Sequence, residues 1–149
     1  MTDPFGLERF VSAQAGTYQD ALAQVRRGRK TGHWMWFVFP QVAGLGSSPM
    51  AQRYAVSGLD EASAYLAHRV LGPRLIEISA AAAETGKQRG AEEIFGGIDA
   101  LKLRSSMTLF ALAAPDEPVF GRVLDRFYGG RADRATLDIV GAYDLPERS

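Results

Sequence analysis

The segment HWMWFVFPQ, residues 33–41, constrains the fold of this chain more than any other stretch. It holds both tryptophans and two of the eight phenylalanines, and it begins at the first of only two histidines. A large aromatic side chain buries on the order of 150–250 Å² when it packs, so such a block is costly to leave in water. We therefore expect this segment to form either the centre of the core or the wall of a pocket.

The aromatic segment fits a buried strand or a buried helix, because a run that is apolar throughout has no diagnostic period. Its neighbours favour a helix. The preceding segment has helical spacing up to Gly28, with Tyr18, Ala21, Leu22 and Val25 on one face. Pro40 disfavours the α conformation at Phe39 and would end a helix there. We predict that residues 33–41 form the buried central helix of an all-α domain.

Glycine and proline divide the rest of the chain into short helical segments. Capping residues and prolines predict helix starts at Asp3, Thr17, Ser48, Asp60, Pro73, Asp99, Asp116 and Asp133. We expect Gly72 and Pro73 to separate two helices and the helix beginning at Asp99 to be the longest. The sequence therefore predicts a single all-α domain over residues 1–149, with about seven to nine short helices packed at steep angles.

The charge balance argues against a strong global attraction to nucleic acid or to an anionic membrane. Seventeen basic residues match seventeen acidic ones, so no net field surrounds the molecule. One local cluster stands out, formed by Arg26, Arg27, Arg29 and Lys30. We interpret it as a solvated helix end whose cations complement the negative pole of the helix dipole, with an anion site as the alternative. We do not expect nucleic acid to be the partner.

No targeting or membrane segment is visible. The opening residues, MTDPFGLERF, lack the basic head and long apolar run of a secretion signal. No stretch approaches the ~18 consecutive apolar residues of a membrane span. We therefore expect a cytoplasmic protein without a membrane partner.

The sequence gives little support for a metal or a cofactor. It has no cysteine, which excludes disulfides, thiolate nucleophiles and thiolate metal centres. The only histidines are His33 and His68, and neither has a second histidine or a carboxylate at helical i+3 or i+4 spacing. We predict neither a metal site nor a bound cofactor.

The glycine-rich turn GLGSS, residues 44–48, is the first candidate anion site. Glycines ahead of a helix start let backbone N–H groups approach an anion where the helix dipole favours negative charge. Gly46 and Ser48 would make these contacts. The turn is not a Walker loop, because the lysine that should follow is missing. The alternative is that the turn only reverses the chain and caps the next helix.

The ends of the aromatic segment supply further candidates. Histidine is the residue type that most often serves as a general acid or base, which makes His33 a candidate, and Trp36 beside it offers a ring to an apolar ligand. Gln41 follows Pro40 and is expected at the mouth of whatever the aromatic rings enclose. The alternative is a hydrogen-bonded structural histidine beside packed rings.

Cations near two predicted helix starts also suggest a partner. The helix dipole favours negative charge at a helix start, so the cations Arg74 and Lys102 are unfavourable there. Each therefore needs a carboxylate of the protein or a bound anion. Ser105, Ser106 and Thr108 lie inside the longest predicted helix. Such hydroxyls either bond back to a helix carbonyl or face a polar cavity. In the second case they would form the polar lining of a cavity near Lys102.

Several blocks, in this order, resemble a family of small bacterial proteins grouped as a domain of unknown function. They are DPFGLERF, HWMWFVFPQ with GLGSS, EASAYLAHRVLGPRL, IFGGIDALKLRSSMTLF and FYGGRADRATLDIV, and they extend from about Asp3 to Val140. The resemblance implies a compact, mainly α-helical single domain and implies no activity. Some members carry the label calpastatin, which does not fit, because such inhibitors are disordered, polar and repetitive whereas this chain is aromatic and without repeats.

Two classes of function follow from the sequence. The first is a small-molecule-binding domain, as a binding protein or an enzyme, whose ligand carries an anionic group. His33, Trp36 and Gln41 would contact the ligand body, while Gly46, Ser48, Arg74 and Lys102 would hold the anion. The second is a non-enzymatic helical module that binds a protein segment in a groove, with exposed aromatic side chains as anchors.

Overall fold

The computed structural model describes residues 2–146, which form ten α-helices and no β-strand. In chain order the helices are α1 (Glu8–Gln14), α2 (Tyr18–Arg27), α3 (Met35–Val38), α4 (Pro49–Arg53), α5 (Leu59–Ala67), α6 (Leu71–Thr85), α7 (Ala91–Phe95), α8 (Gly97–Ala113), α9 (Val119–Tyr128) and α10 (Arg134–Val140). The predicted all-helical domain is confirmed. The helix count is higher than predicted because α3, α4 and α7 have only four or five residues each. Residues 1 and 147–149, which the predicted domain included, lie outside the described residues.

Helix α8 forms the centre of the fold. Its residues from Ser105 to Phe110 are all buried, so no side of the helix faces solvent along this stretch. A helix that is buried all round must be enclosed by other elements, and α8 contacts α5, α7, α9 and α10. Helix α6 packs against α2, α5 and α9. Within residues 2–146, no helix combines the length and the apolar content that a membrane crossing requires.

The aromatic segment is buried, but it is not the predicted central helix. Only Met35–Val38 form a helical turn, and the chain leaves it at Phe39. Val42 then pairs with Val56 in an isolated parallel bridge. Pro40 explains the early end, because it disfavours the α conformation in the residue before it. The rings still pack together in the core, and Phe39 meets Phe95 edge-on with ring centroids 6.0 Å apart.

Local sequence signals account well for α2 and the capped helices. The predicted inner face of α2 is buried at Tyr18, Ala21, Leu22 and Val25. Gly28 ends the helix with φ +84°, a left-handed conformation that glycine adopts without a steric cost. Ser48 and Asp133 cap α4 and α10 as predicted, each accepting a backbone N–H of the first turn.

Four predicted helix starts, besides Pro73, differ from the observed ones. Asp99 lies in the first turn of α8, which begins at Gly97, and Asp116 lies two residues before Pro118, the N-cap of α9. Asp3 accepts hydrogen bonds from the amides of Leu7 and Glu8 at 2.8 and 3.0 Å, yet α1 begins only at Glu8 because the residues before it form turns. These bonds, led by the one from Glu8, lower the pKa of Asp3. Asp60 lies in the first turn of α5, whose N-cap position is Gly58.

Gly72 and Pro73 do not separate two helices, contrary to the prediction. Both lie in the first turn of α6, where proline is tolerated because its missing N–H needs no intrahelical partner. Gly72 is required by the neighbouring helix, since a Cβ at this position would lie 2.1 Å from the carbonyl oxygen of Leu66. The glycine therefore lets α5 and α6 approach each other closely.

Arg9 connects α1 to the chain ahead of α5. All five N–H groups of its guanidinium donate hydrogen bonds, at 2.6–2.9 Å, to the carbonyl oxygens of Phe5, Gly6, Arg53 and Ala55 and to the Glu61 carboxylate. The Glu61 side chain is only 4% exposed, and its other oxygen accepts from the amide and hydroxyl of Ser57. A buried carboxylate is tolerated only when it is paired and hydrogen-bonded in this way.

Replacing Arg9 with alanine leaves the buried Glu61 carboxylate without its ionic partner. We expect the free energy of unfolding to fall by about 3–5 kcal/mol, the usual cost of removing one member of a buried ion pair. Urea denaturation followed by circular dichroism measures the loss. Arg69→Ala, at an exposed arginine, is the control and should stay within about 0.5 kcal/mol of the unsubstituted chain. Equal losses for the two variants would contradict the role of Arg9.

Gly72→Ala tests the close approach of α5 and α6. The new methyl group collides with backbone, which cannot move aside cheaply, so we expect the free energy of unfolding to fall by about 1–3 kcal/mol. Gly16→Ala is the matched control, because a Cβ at Gly16 meets no atom within 4 Å. There we expect no loss, or a gain of about 0.4–1 kcal/mol from the stiffer unfolded chain. The same denaturation measurement serves both variants, and an unchanged stability for Gly72→Ala would contradict the steric account.

Candidate functional site

Gln24 fixes the loop that follows α2. Its side-chain oxygen accepts hydrogen bonds from the amides of Thr31 and Gly32, at 2.9 and 3.0 Å, and from the Trp34 indole N–H, at 2.8 Å. Gly32 is required here, because a Cβ would lie 2.8 Å from the Trp34 ring. One side chain on α2 therefore orients both the loop and the first tryptophan.

Lys30 departs from the predicted solvated helix end. Its amide donates to the carbonyl oxygen of Ile94 at 2.7 Å, and its Nζ lies 2.7 Å from Oδ2 of Asp99. The ammonium also lies 5.0 Å from the centre of the Trp34 ring, and the side chain is only 8% exposed. A buried ammonium needs such a partner, so the ion pair joins the loop to the start of α8. The rest of the predicted cluster, Arg26, Arg27 and Arg29, is exposed.

A cleft of about 340 Å³ opens beside this ion pair. We call it the Trp36 cleft, and it is lined by Lys30, His33, Met35, Trp36, Phe95, Gly96, Gly97, Ile98 and Asp99. Trp36 is partly exposed, whereas Trp34 is buried. Lys102 on α8 does not line the cleft but lies next to two residues that do, with its Nζ 4.6 Å from the centre of the Trp36 ring and 3.5 Å from Oδ1 of Asp99. The structure therefore brings together three of the predicted site residues: His33, Trp36 and Lys102.

Helix α8 begins at the Trp36 cleft. Gly96 precedes it with φ +84°, and no side chain caps its first turn. A Cβ at Gly97 would meet no atom within 4 Å, so the backbone borders open space there. The first amides of a helix have no intrahelical acceptor and carry the positive end of the dipole. The cleft thus offers backbone donors as well as ammonium groups.

The two lysines of the site are not equivalent. Lys30 is buried against Asp99 and also donates to the carbonyl oxygen of Gly32, so its charge is used internally. Lys102 makes the longer contact with Asp99, and its side chain is 22% exposed. Lys102 also lies over the Trp36 ring. Of the two lysines, it is the more exposed and the less tightly paired.

His33 is exposed at the Trp36 cleft. No hydrogen bond or ion pair among residues 2–146 involves its ring, so it is not the hydrogen-bonded structural histidine of the alternative interpretation. None of the residues that line the cleft carries a hydroxyl or a thiol. The lining therefore provides binding groups and an acid or base, without a serine, threonine or cysteine nucleophile. In the described part of the chain, no group of three histidine or carboxylate side chains is arranged to hold a metal ion.

Three other predicted site residues lie elsewhere. The carbonyl oxygen of Gln41 accepts from the Val56 amide at 2.9 Å, and Gln41 is not part of the Trp36 cleft. Gly46 packs so closely on Ala51 that a Cβ would lie 2.6 Å from the alanine methyl. The Ser48 hydroxyl accepts from the Ala51 amide at 3.1 Å and caps the five-residue helix α4. The glycine-rich turn therefore serves as a chain reversal and helix cap, as its alternative interpretation states.

Arg74 also lies away from the cleft, and no carboxylate of residues 2–146 forms an ion pair with it. Its guanidinium donates to the side-chain oxygen of Gln14 at 3.3 Å and lies 5.1 Å from the centre of the Tyr18 ring. The Tyr18 hydroxyl donates to Glu77 at 2.6 Å. Burial, reinforced by this bond to a carboxylate, raises the pKa of Tyr18. Arg74 thus belongs to a structural network between α1, α2 and α6.

The hydroxyls of α8 do not line the Trp36 cleft. Ser105 and Thr108 bond back to the carbonyl oxygens of Leu101 and Arg104, at 3.2 and 2.8 Å. Thr108 also accepts from the Asp133 amide at 2.9 Å, which fixes the chain before α10. These are the back-bonded hydroxyls of the first alternative, and the polar lining near Lys102 comes from other residues.

Sequence reasoning misses the ion pair and the glycines that complete the site. It predicts Lys30 as part of a solvated cluster, and Asp99 only as a helix start. Gly96 and Gly97 lie at the start of a long helix. In the sequence they form the same pattern as residues 44–48, namely glycines at the beginning of a helix. Only the fold shows which of the two glycine-rich helix starts lies beside lysine and tryptophan side chains.

Gln24→Leu tests how the loop beside the cleft is held. The substitution removes the shared acceptor of three N–H groups, and we expect the free energy of unfolding to fall by about 1–3 kcal/mol or more, depending on how many of them reach water. Gln19→Leu, at an exposed position of the same helix, is the control and should change stability by less than about 0.5 kcal/mol. Chemical denaturation of both variants gives the comparison. A Gln24 variant as stable as the control would show that the loop is held by other contacts.

Comparison with known proteins places the chain in a family. No curated protein matches it. The crystal structure of the conserved hypothetical protein Rv1873 from Mycobacterium tuberculosis is similar, with 53% sequence identity and a TM-score of 0.91, over 94% of this chain and 99% of that one. The model of a family described as protein of unknown function, DUF1810, matches residues 4–140. The fold, the ordered blocks of sequence and this match agree, and the chain belongs to the DUF1810 family.

Proposed function

We propose that this protein binds a small molecule with an anionic group in the Trp36 cleft. The observation that carries the proposal is that His33 and Trp36 line one opening while the Lys102 ammonium lies 4.6 Å from the centre of the Trp36 ring. These residues come from two separate segments, and the cleft volume of about 340 Å³ is that of a small ligand site. A ligand of the size of a mononucleotide or a sugar phosphate matches it.

The anionic group of the ligand is assigned to Lys102 and the start of α8. Lys102 is partly exposed and holds Asp99 only at 3.5 Å, so a phosphate or carboxylate can replace this contact. The uncapped amides around Gly97 add donors and the positive end of a helix of seventeen residues. Asp99 remains neutralised by Lys30, which limits its repulsion of the ligand.

The apolar or aromatic part of the ligand is assigned to Trp36. Its ring is partly exposed, and the neighbouring Ile98 is 75% exposed, so both offer apolar surface at the opening. Stacking on an indole favours flat ring systems. His33 lies at the same opening, where its imidazole can exchange a proton with a bound group. In an enzyme that uses this cleft, His33 would be the general acid or base.

The exposed apolar side chains support a second candidate function. Ile98 and Leu101 are 75% and 67% exposed and, three residues apart on α8, lie on the same side of the helix. Together with Trp36 they form an apolar edge of the kind that a protein segment covers. A non-enzymatic interaction module would use this edge and would not need Lys102.

Thermal unfolding with three related compounds tests the proposal. AMP carries a ring and a phosphate, ribose 5-phosphate carries the phosphate without the ring, and adenosine carries the ring without the phosphate. A ligand at a hundred times its Kd adds roughly 2.7 kcal/mol to the stability, and each kcal/mol raises the Tm by about 2–4 °C for a chain of this size. We expect AMP to give the largest shift.

Two variants locate the binding. Lys102→Met should lower the shifts by AMP and ribose 5-phosphate, and Trp36→Leu should lower those by AMP and adenosine, each measured against the Tm of the variant itself. Lys87→Met is the control, since Lys87 is exposed and lies outside the cleft. The assignment is refuted if none of the compounds raises the Tm, or if both cleft variants keep the same increases in Tm. Either result would favour the interaction module.

A further inference from the structure

Six exposed cations from three distant segments share one face of the molecule. They are Arg26, Arg27, Lys87, Arg89, Arg122 and Arg126, and we call them the basic face. They line two cavities of about 560 and 340 Å³. Both cavities are also lined by Glu84, in the last turn of α6, so they adjoin. Because α6 packs against both α2 and α9, the cations form one continuous surface.

Close backbone contacts hold this surface together. Arg89 lies against the end of α2, where a Cβ at Gly28 would be 2.5 Å from its side chain. Arg126 lies against the loop after α6, where a Cβ at Gly86 would be 2.6 Å from its side chain. The cations are therefore positioned by the helix packing and not only by their flexible side chains.

The basic face is strongly charged although the whole chain is neutral. Glu84 and Asp125 are the carboxylates that line the two cavities, which leaves six positive against two negative charges, or a local excess of four. Glu84 pairs with Lys87 at 2.9 Å, but both side chains are more than half exposed, so water and salt weaken this pair. The four-cation run of the sequence contributes only Arg26 and Arg27 to the lining, since Lys30 is buried and the exposed Arg29 lines neither cavity.

We propose that the basic face binds the phosphodiester backbone of duplex nucleic acid without reading its sequence. Five of the six cations are arginines, whose planar guanidinium matches phosphate oxygens. None of the large apolar side chains that are exposed in residues 2–146 lines these cavities. The face thus lacks the apolar centre of a protein interface and the aromatic platform of a single-strand binder. Charge without stacking groups is typical of backbone contacts to a duplex.

Fluorescence anisotropy with a short labelled DNA duplex of arbitrary sequence tests the proposal. We expect binding that weakens as salt rises from about 50 to 200 mM, with the logarithm of the affinity falling linearly against the logarithm of the salt concentration. Replacing Arg26, Arg122 and Arg126 together with glutamine should weaken binding at least about tenfold and make the slope shallower by about 0.9 for each phosphate that is no longer neutralised. A second duplex of unrelated sequence should bind equally well.

A matched variant removes the same charge from elsewhere. Arg53, Arg69 and Arg134 are exposed and line neither cavity, so their joint replacement by glutamine should leave most of the affinity. Unchanged circular dichroism spectra show that both triple variants are folded. Absence of duplex binding at low salt would overturn the proposal, and so would equal losses of affinity in the two variants. Polyglutamate binding as tightly as the duplex would also overturn it and would assign the face to an acidic protein.

Discussion

Burial of α8 on every side is the constraint on which the rest of the fold depends. Its residues from Ser105 to Phe110 have almost no access to water, so other helices must cover them and their hydroxyls must find acceptors within the protein. Ser105 and Thr108 meet this demand by bonding back to their own helix, whereas the buried Ser106 hydroxyl is an exception without a hydrogen-bond partner among the described residues. The charged side chains near the start of α8 are less buried, with Asp99 lining the Trp36 cleft and Lys102 beside it.

The sequence predicts those features of the fold that depend on residues one or two helical turns apart in the chain. The apolar spacing of α2, its end at Gly28 and the caps at Ser48 and Asp133 are all recognisable, because each depends on neighbouring residues. The prediction fails at Gly72, since the reason for that glycine is the Leu66 carbonyl on another helix. The same limit applies to Trp34, whose indole N–H bonds to an acceptor supplied by Gln24 on another helix.

The candidate site shows this limit more clearly than the fold does. Residue type alone identifies His33, Trp36 and Lys102 as groups that need a polar or aromatic partner. Residue type does not distinguish these three from Gln41 and Ser48. Which of these side chains lie close together depends on how the helices pack. The balanced composition likewise conceals a segregation of charge, in which exposed arginines gather near the ends of α2 and α9 while lysines accompany a carboxylate at the start of α8.

The two tryptophans lie in opposite environments, and this difference has a spectroscopic consequence. A lysine ammonium lies near each ring, but Trp34 is 1% exposed, with its indole N–H bonded to Gln24, whereas Trp36 is partly exposed at the cleft. A dissolved quencher such as iodide reaches one indole and not the other. The intrinsic fluorescence of the protein therefore contains a component that responds to the cleft and a component that serves as an internal reference, so the state of the cleft is readable without any attached label.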